Sequence, residues 1–116
     1  MRHRKNKVTL DRVKGQRELM LRTLAADVVL HEGLVTTSAK ARAVKPLVER
    51  MITRGKINTI TARRYLMTFF TKEAPVKKIL EVLGPKYATR QGGYTRLVKL
   101  AQRQGDAASM VRIELV

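Results

Sequence analysis

Apolar residues recur along this chain in four stretches at helical spacing, and a last stretch alternates strictly. After Gly15, the positions Leu21, Leu24, Ala25 and Val28, widened by Met20 and Val29, predict a helix that ends at Gly33. A β-leaning piece, Leu34-Val35-Thr36, follows, and Thr37 and Ser38 offer an N-cap to a second helix. There Val44, Leu47, Val48, Met51 and Ile52 stand at i, i+3, i+4, i+7 and i+8, the cleanest amphipathic pattern in the chain. Pro46 lies inside it and removes one hydrogen bond, so either one helix kinks there or a new helix restarts near that residue.

Two shorter helices are expected next. Asn58 or Thr59 can cap one, with Ala62, Tyr65, Leu66 and Phe69 inward and Arg63 and Arg64 outward. Pro75 suits the first turn of the other, whose apolar stripe is Val76, Ile79, Leu80 and Leu83, and Gly84-Pro85 reads as its stop. The period then changes. Val111, Ile113 and Leu115 alternate with Met110, Arg112 and Glu114 as in a half-buried strand. Tyr94 to Ala101 is the expected partner strand, joined to it through "QRQGDAA" with its Gly-Asp turn signal. The expected fold class is α+β: several helices packed on a small, mostly antiparallel sheet with a C-terminal β-hairpin.

Up to Lys14 the apolar residues are few and lack a clear period. Residues 1–14 are therefore read as a basic extended N-terminal arm and residues 15–116 as a single α+β domain. A chain of 116 residues can bury roughly 65% of its unfolded surface, and 44% hydrophobic content supplies a core.

Charge changes the picture most. Lys and Arg total 25 against 9 Asp and Glu, a net +16. A folded domain this basic repels itself unless a polyanion neutralises it, and nucleic acid is the commonest polyanion. The first 22 residues alone carry Arg2, Arg4, Lys5, Lys7, Arg12, Lys14, Arg17 and Arg22 against Asp11 and Glu18. Such an arm is ordered by something anionic. There is no Cys, which excludes disulfides, thiolate nucleophiles and zinc knuckles and fits a reducing compartment. No apolar run approaches a membrane span, and "LMLRTLAADVVL", broken by Arg22 and Asp27, does not read as a secretory signal.

Candidate chemistry is sparse. The nine acids form no spaced pair suited to acid–base work, His3 and His31 stand apart, and Ser38 and Ser109 lack a nucleophile-elbow context. No catalytic residue, metal site, cofactor or small-molecule substrate is expected. The glycine pair in "RQGGYTRLVKL" fits neither a Walker loop nor a dinucleotide turn, and a strand rather than a helix follows it. A tight turn needing positive φ accounts for both glycines. Arg90, Tyr94 and Arg96 flank that turn with charge and a stacking surface, so it could also approach an RNA backbone closely.

"MRHRK", "VTTSAKA" and "LGPKYATRQGGYTRLVKL" ahead of "IELV" together resemble the family of the seventeenth protein of the bacterial large ribosomal subunit, in order along the whole chain. The resemblance implies an α+β, non-enzymatic ribosomal protein. It also implies binding to large-subunit rRNA near the mouth of the nascent-peptide exit tunnel, beside other ribosomal proteins, in the cytoplasm or in an organelle. The family's basic start falls on Arg2, His3, Arg4 and Lys5, its Thr-Thr and Lys-Ala elements on Thr36, Thr37, Lys40 and Ala41, and its Gly-Gly-Tyr-Thr-Arg on Gly92 to Arg96. After Lys5 the chain departs from the family pattern, reading "NKVTLDR" and then Gln16-Arg17.

The expected RNA-contacting set is therefore Arg2, His3, Arg4, Lys5, Lys7, Arg12, Lys14, Arg17, Thr36, Thr37, Lys40, Arg42, Arg63, Arg64, Arg90, Gly92, Gly93, Tyr94 and Arg96. Aromatics make up only 4%, so recognition of folded RNA shape and backbone is expected rather than a run of stacking platforms. A DNA-binding architectural protein would share the charge, but would present a recognition helix and a dimer surface. A nuclease would need a carboxylate cluster, and a membrane-surface binder is the weakest alternative.

Overall fold

A computed structural model describes His3 and residues 8–116. Helix α1 (Lys14–His31) starts on the last residue assigned to the arm and buries Ala25, Val28 and Val29. It ends one residue earlier than expected, because Glu32 rather than Gly33 takes the left-handed position, at φ 59°. The Lys78 ammonium closes this end, donating to the Leu30 carbonyl at 2.8 Å and lying 3.2 Å from the Glu32 carboxylate. Gly33 instead opens strand β1 (Gly33–Thr37). A Cβ there would lie 2.5 Å from the Arg112 guanidinium, so its small size admits that side chain.

Helix α2 (Ser38–Gly55) runs as one helix through Pro46 and buries Ala41, Val44, Val48, Met51 and Ile52. Thr37 occupies the N-cap position, but its side chain makes no capping bond. The Ser38 N–H donates to the Ser109 carbonyl at 2.9 Å, so a neighbouring segment replaces the expected side-chain cap. Helix α3 (Ile60–Phe69) keeps its expected cap: the Thr59 hydroxyl accepts from the Ala62 N–H at 3.1 Å. Leu66 is buried on it, and Ala62, Tyr65 and Phe69 pack against the core.

Gly84-Pro85 does not stop the next helix. Helix α4 (Glu73–Lys78) passes into a π-helical turn over Ile79–Leu83 and then into the short α5 (Gly84–Lys86). The Gly84 N–H donates five residues back, to the Ile79 carbonyl. A widened turn suits the position ahead of Pro85, which has no N–H of its own to donate. Gly84 serves close packing here: a Cβ would lie 2.7 Å from the Gly55 carbonyl oxygen. From the other side, a Cβ on Gly55 would collide with the Ile79 side chain.

Strands β2 (Thr95–Lys99) and β3 (Met110–Leu115) form the expected antiparallel hairpin, with Leu97 opposite Ile113. Strand β1 pairs antiparallel on the other side of β3, Leu34 opposite Ile113, giving the order β1-β3-β2. Period-2 alternation sends Val111 and Ile113 into the core against α1 and α2, with Leu34, Leu97 and Leu115 packed beside them. Arg96, Val98, Arg112 and Val35 therefore lie on the sheet's other face, where all four are exposed. The hairpin loop turns at Gly105, φ 100°, and is tied by the Arg103 guanidinium to Asp106.

Two outcomes test this arrangement. Gly84→Ala is expected to destabilise the protein by about 1–3 kcal/mol, because the backbone of α2 must retreat. Gly15→Ala, where a Cβ meets nothing within 4 Å, is the control and should be neutral or stabilising by up to about 1 kcal/mol. Urea melts of both variants decide the matter. In the hairpin loop, hydrogen bonds from Arg103 and from the Ala108 N–H hold the Asp106 carboxyl down at about 2 from 3.8. A depressed carboxylate supports the fold above its unfolded pKa, so this contribution should fade as pH falls from 3.8 through about 2. Arg103→Ala should return the Asp106 carboxyl carbon titration toward its ordinary value in an NMR pH series.

Candidate nucleic-acid interface

The glycine turn is built from its flanks inward. Gly92 and Gly93 adopt φ 80° and 63°, the conformation that the sequence reading required of them. Among the described residues and apart from the adjoining ones, no atom comes within 4 Å of a Cβ on Gly92, and only the Arg90 guanidinium, at 3.9 Å, meets one on Gly93. Backbone conformation, not crowding within the protein, demands both glycines. Arg90 closes the turn through its own side chain, Nε donating to the Gly93 carbonyl at 3.2 Å. Just beyond α2, the Lys56 ammonium donates to the Arg90 carbonyl.

The stacking role expected for Tyr94 is corrected by its placement. The ring is 1% exposed and packs against Tyr87, with ring centroids 5.0 Å apart. Lys56 Nζ lies 5.0 Å from its centroid, and its hydroxyl is 3.3 Å from Thr53 Oγ1. Burial pushes this phenol up, but hydrogen bonds to Lys56, Thr53 and Gly92, with the Lys56 charge, outweigh it and leave the group below its ordinary value. Burying such a ring stabilises by about 1.5–3 kcal/mol, so Tyr94 anchors the turn and is unavailable for stacking. Period 2 makes the same choice at the next residues. Thr95 is buried, its hydroxyl donating to Glu49 at 2.7 Å, while Arg96 stands 63% exposed on the open face.

On that face one carboxylate orients two cations. Arg96 Nε donates to Glu114 Oε1 at 2.6 Å and Arg112 Nε to Glu114 Oε2 at 3.1 Å. Hydrogen bonds from Arg96 first and Arg112 second hold the Glu114 carboxyl below its usual range. The arrangement keeps a net positive charge, with two guanidinia fixed at one end.

The other expected contacts divide. Arg2, Arg4, Lys5 and Lys7 lie outside the described residues. His3, Arg12 and Lys14 are exposed, and Arg12 Nη1 donates to the Leu10 carbonyl at 2.8 Å. Two further placements run against presentation to RNA. Arg17 is buried, its Nη1 lying 3.4 Å from the Arg12 carbonyl, because the start of α1 packs that side chain back against the preceding turn. Thr36 is buried because its strand position faces the core. Thr37 and Lys40 are half-buried and Arg42 is exposed at the start of α2. On α3, Arg63 is tied to Glu73 at 2.6 Å, and Arg64 is exposed.

Three residues outside the expected set matter as much. Lys56, Arg112 and Arg54, whose guanidinium lies 4.7 Å over the Tyr65 ring, are placed by contacts 11 to 79 positions away in sequence. Period 2 puts Arg112 on the outer face of β3, but no local pattern gives any of the three its partner. Among the described residues no cluster of His, Cys, Asp and Glu suits a metal, and no helix is long and apolar enough to cross a membrane.

Comparison with known proteins agrees with the residues quoted from the sequence. The family model described as "Ribosomal protein L17" matches residues 20–116. The large ribosomal subunit protein bL17 of Desulfitobacterium hafniense is 49% identical over 107 residues, covering 92% of this chain and 96% of that protein. Its counterpart from Gemmatimonas aurantiaca is 43% identical over 116 residues, covering 100% and 98%. The one from Exiguobacterium is 44% identical over 112 residues, covering 92% and 96%. With the family model spanning most of the chain and such relatives matching nearly end to end, this chain belongs to the ribosomal protein L17 family, structural components of the large ribosomal subunit rather than enzymes.

Proposed function

We propose that this protein binds large-subunit rRNA through cations held on a rigid frame, and through that contact supports assembly of the subunit. The net charge of +16 on a chain with a well-packed core is the observation that carries the reading. Self-repulsion of this size is relieved when phosphates neutralise it and the RNA's condensed counterions are released. The contact set runs from the arm through Arg12 and Lys14 to Arg42 and Arg64, and on to the glycine turn with Arg90 and Arg96. Arg90 is oriented by the turn and Arg96 by Glu114, so both are presented at little further cost in side-chain entropy. Family membership supports a site in the large subunit, and the sequence resemblance implies a place beside other ribosomal proteins near the nascent-peptide exit tunnel of the cytoplasmic ribosome.

Filter binding to isolated large-subunit rRNA tests this. Affinity is expected to fall at least about tenfold between roughly 50 and 200 mM salt, and a flat log–log dependence would sink the proposal. Deleting residues 1–7 should weaken binding while leaving the helical circular dichroism nearly intact; a chain that no longer folds would make that segment structural. Replacing Arg90 and Arg96 together by Ala should weaken binding by about ten- to a hundredfold and reduce the salt slope by about 2. Unchanged affinity would leave the glycine segment as a turn and nothing more.

A further inference from the structure

A groove of about 370 Å³ lies between the end of α2 and the start of α3, lined by Thr53, Arg54, Ile57, Thr59, Thr61 and Tyr65. That volume falls within the roughly 300–1,000 Å³ of sites that take small molecules. Its rim is unusual for a surface without a partner. Ile57 is 71% exposed and its neighbour Ile60 70% exposed, more than any other large apolar residue described. Inside, the Arg54 guanidinium lies over the Tyr65 ring at 4.7 Å, a cation–π contact that fixes an otherwise mobile side chain.

The charge around the groove selects its occupant. Between Glu49 and Glu73 the chain carries Arg50, Arg54, Lys56, Arg63, Arg64 and Lys72 and no acid. The groove also adjoins the glycine turn: Thr53 touches the Tyr94 hydroxyl, and Lys56, one residue before Ile57, holds the Arg90 carbonyl. An occupant must therefore offer a flat apolar face, hydrogen-bonding edges and an attached negative charge. We propose that this groove receives an unpaired, unstacked nucleobase of RNA, stacked on the Arg54 guanidinium and covered by Ile57, with its sugar or base edge at the Thr61 hydroxyl. Guanidinium planes serve as stacking surfaces for splayed-out RNA bases, and each such contact contributes independently of phosphate neutralisation. One such site is compatible with the low aromatic content, since the stacking plane is supplied by an arginine.

This inference rests on the RNA-binding reading, and the experiment separates the two. The full chain and the variants Ile57→Ser and Arg54→Lys are titrated with isolated large-subunit rRNA at several salt concentrations. The wild-type complex is also crosslinked at 254 nm and the adducts are mapped. Both variants keep the charge, so both should bind about tenfold more weakly with the log–log salt slope unchanged, and a nucleotide adduct should fall on the peptide spanning 54–65. Affinities within about twofold of wild type, with no adduct in that peptide, would overturn the groove assignment while the steep slope kept the RNA reading. A flat slope in the wild type would remove the RNA reading itself. Protection of Ile57 from side-chain labelling only after total large-subunit proteins are added to the RNA complex would assign the groove to a protein and also overturn the proposal.

Discussion

At Gly55 and Gly84 two helical segments approach so closely that no side chain fits between them. A Cβ on either glycine would strike the other segment, the Ile79 side chain in one case and the Gly55 carbonyl in the other. Close-packed interiors do not absorb such intrusions, so this contact fixes the distance between α2 and the wide turn that precedes α5. The rest follows from that distance. Lys56, next after Gly55, is delivered to the Arg90 carbonyl, and Tyr87, just beyond α5, is set against Tyr94. With Tyr94 anchored, the glycine turn has one position, and the strand after it enters the sheet in register with β3. The α2–α3 groove begins at the same place, since Thr53 and Arg54 belong to the last turn of α2.

The cations divide into two populations with different work. Lys78 closes the end of α1, Lys56 holds the glycine turn, Arg17 packs against the turn before α1, and Arg112 lies over Gly33. These serve the fold. The exposed ion pairs, such as Arg63 with Glu73 or Arg103 with Asp106, are screened by water and do not hold the domain together. The core does that, through Val28, Val44, Ile52, Leu66, Ile79 and Ile113, all fully buried. Because stability comes from apolar burial, the remaining cations are left to the surface.

Local pattern and long-range contact can be told apart residue by residue. The stripes at 44–52 and 111–115 are visible because burial on one face imposes a period, and a period survives in a single sequence. The Thr59 cap was legible for the same reason, since its partner is three residues away. Gly84-Pro85 misled because the glycine answers to Gly55, twenty-nine positions earlier, and not to the end of its own helix. Tyr94 looked like a stacking surface because an aromatic beside glycines and arginines suits RNA equally well. Only the pocket formed by Tyr87, Lys56 and Thr53 draws it inward. Nothing local pointed Arg54, Lys56 or Arg112 to its partner, since on a chain this basic one more cation carries little information.

The sequence by itself determined the α+β class, the core stripes, the left-handed glycine turn, the excess of positive charge and the family. Each of these is a property of neighbours within one or two turns of chain, of composition, or, for the family, of the order of motifs along the chain. Tertiary structure alone decided which cations the fold consumes and which it presents, that Tyr94 is an anchor, and that an arginine over a tyrosine lines a groove beside the glycine turn. Those outcomes depend on which surfaces meet when α2 packs against the wide turn, and that meeting is set by glycines whose reason for being small lies elsewhere in the chain.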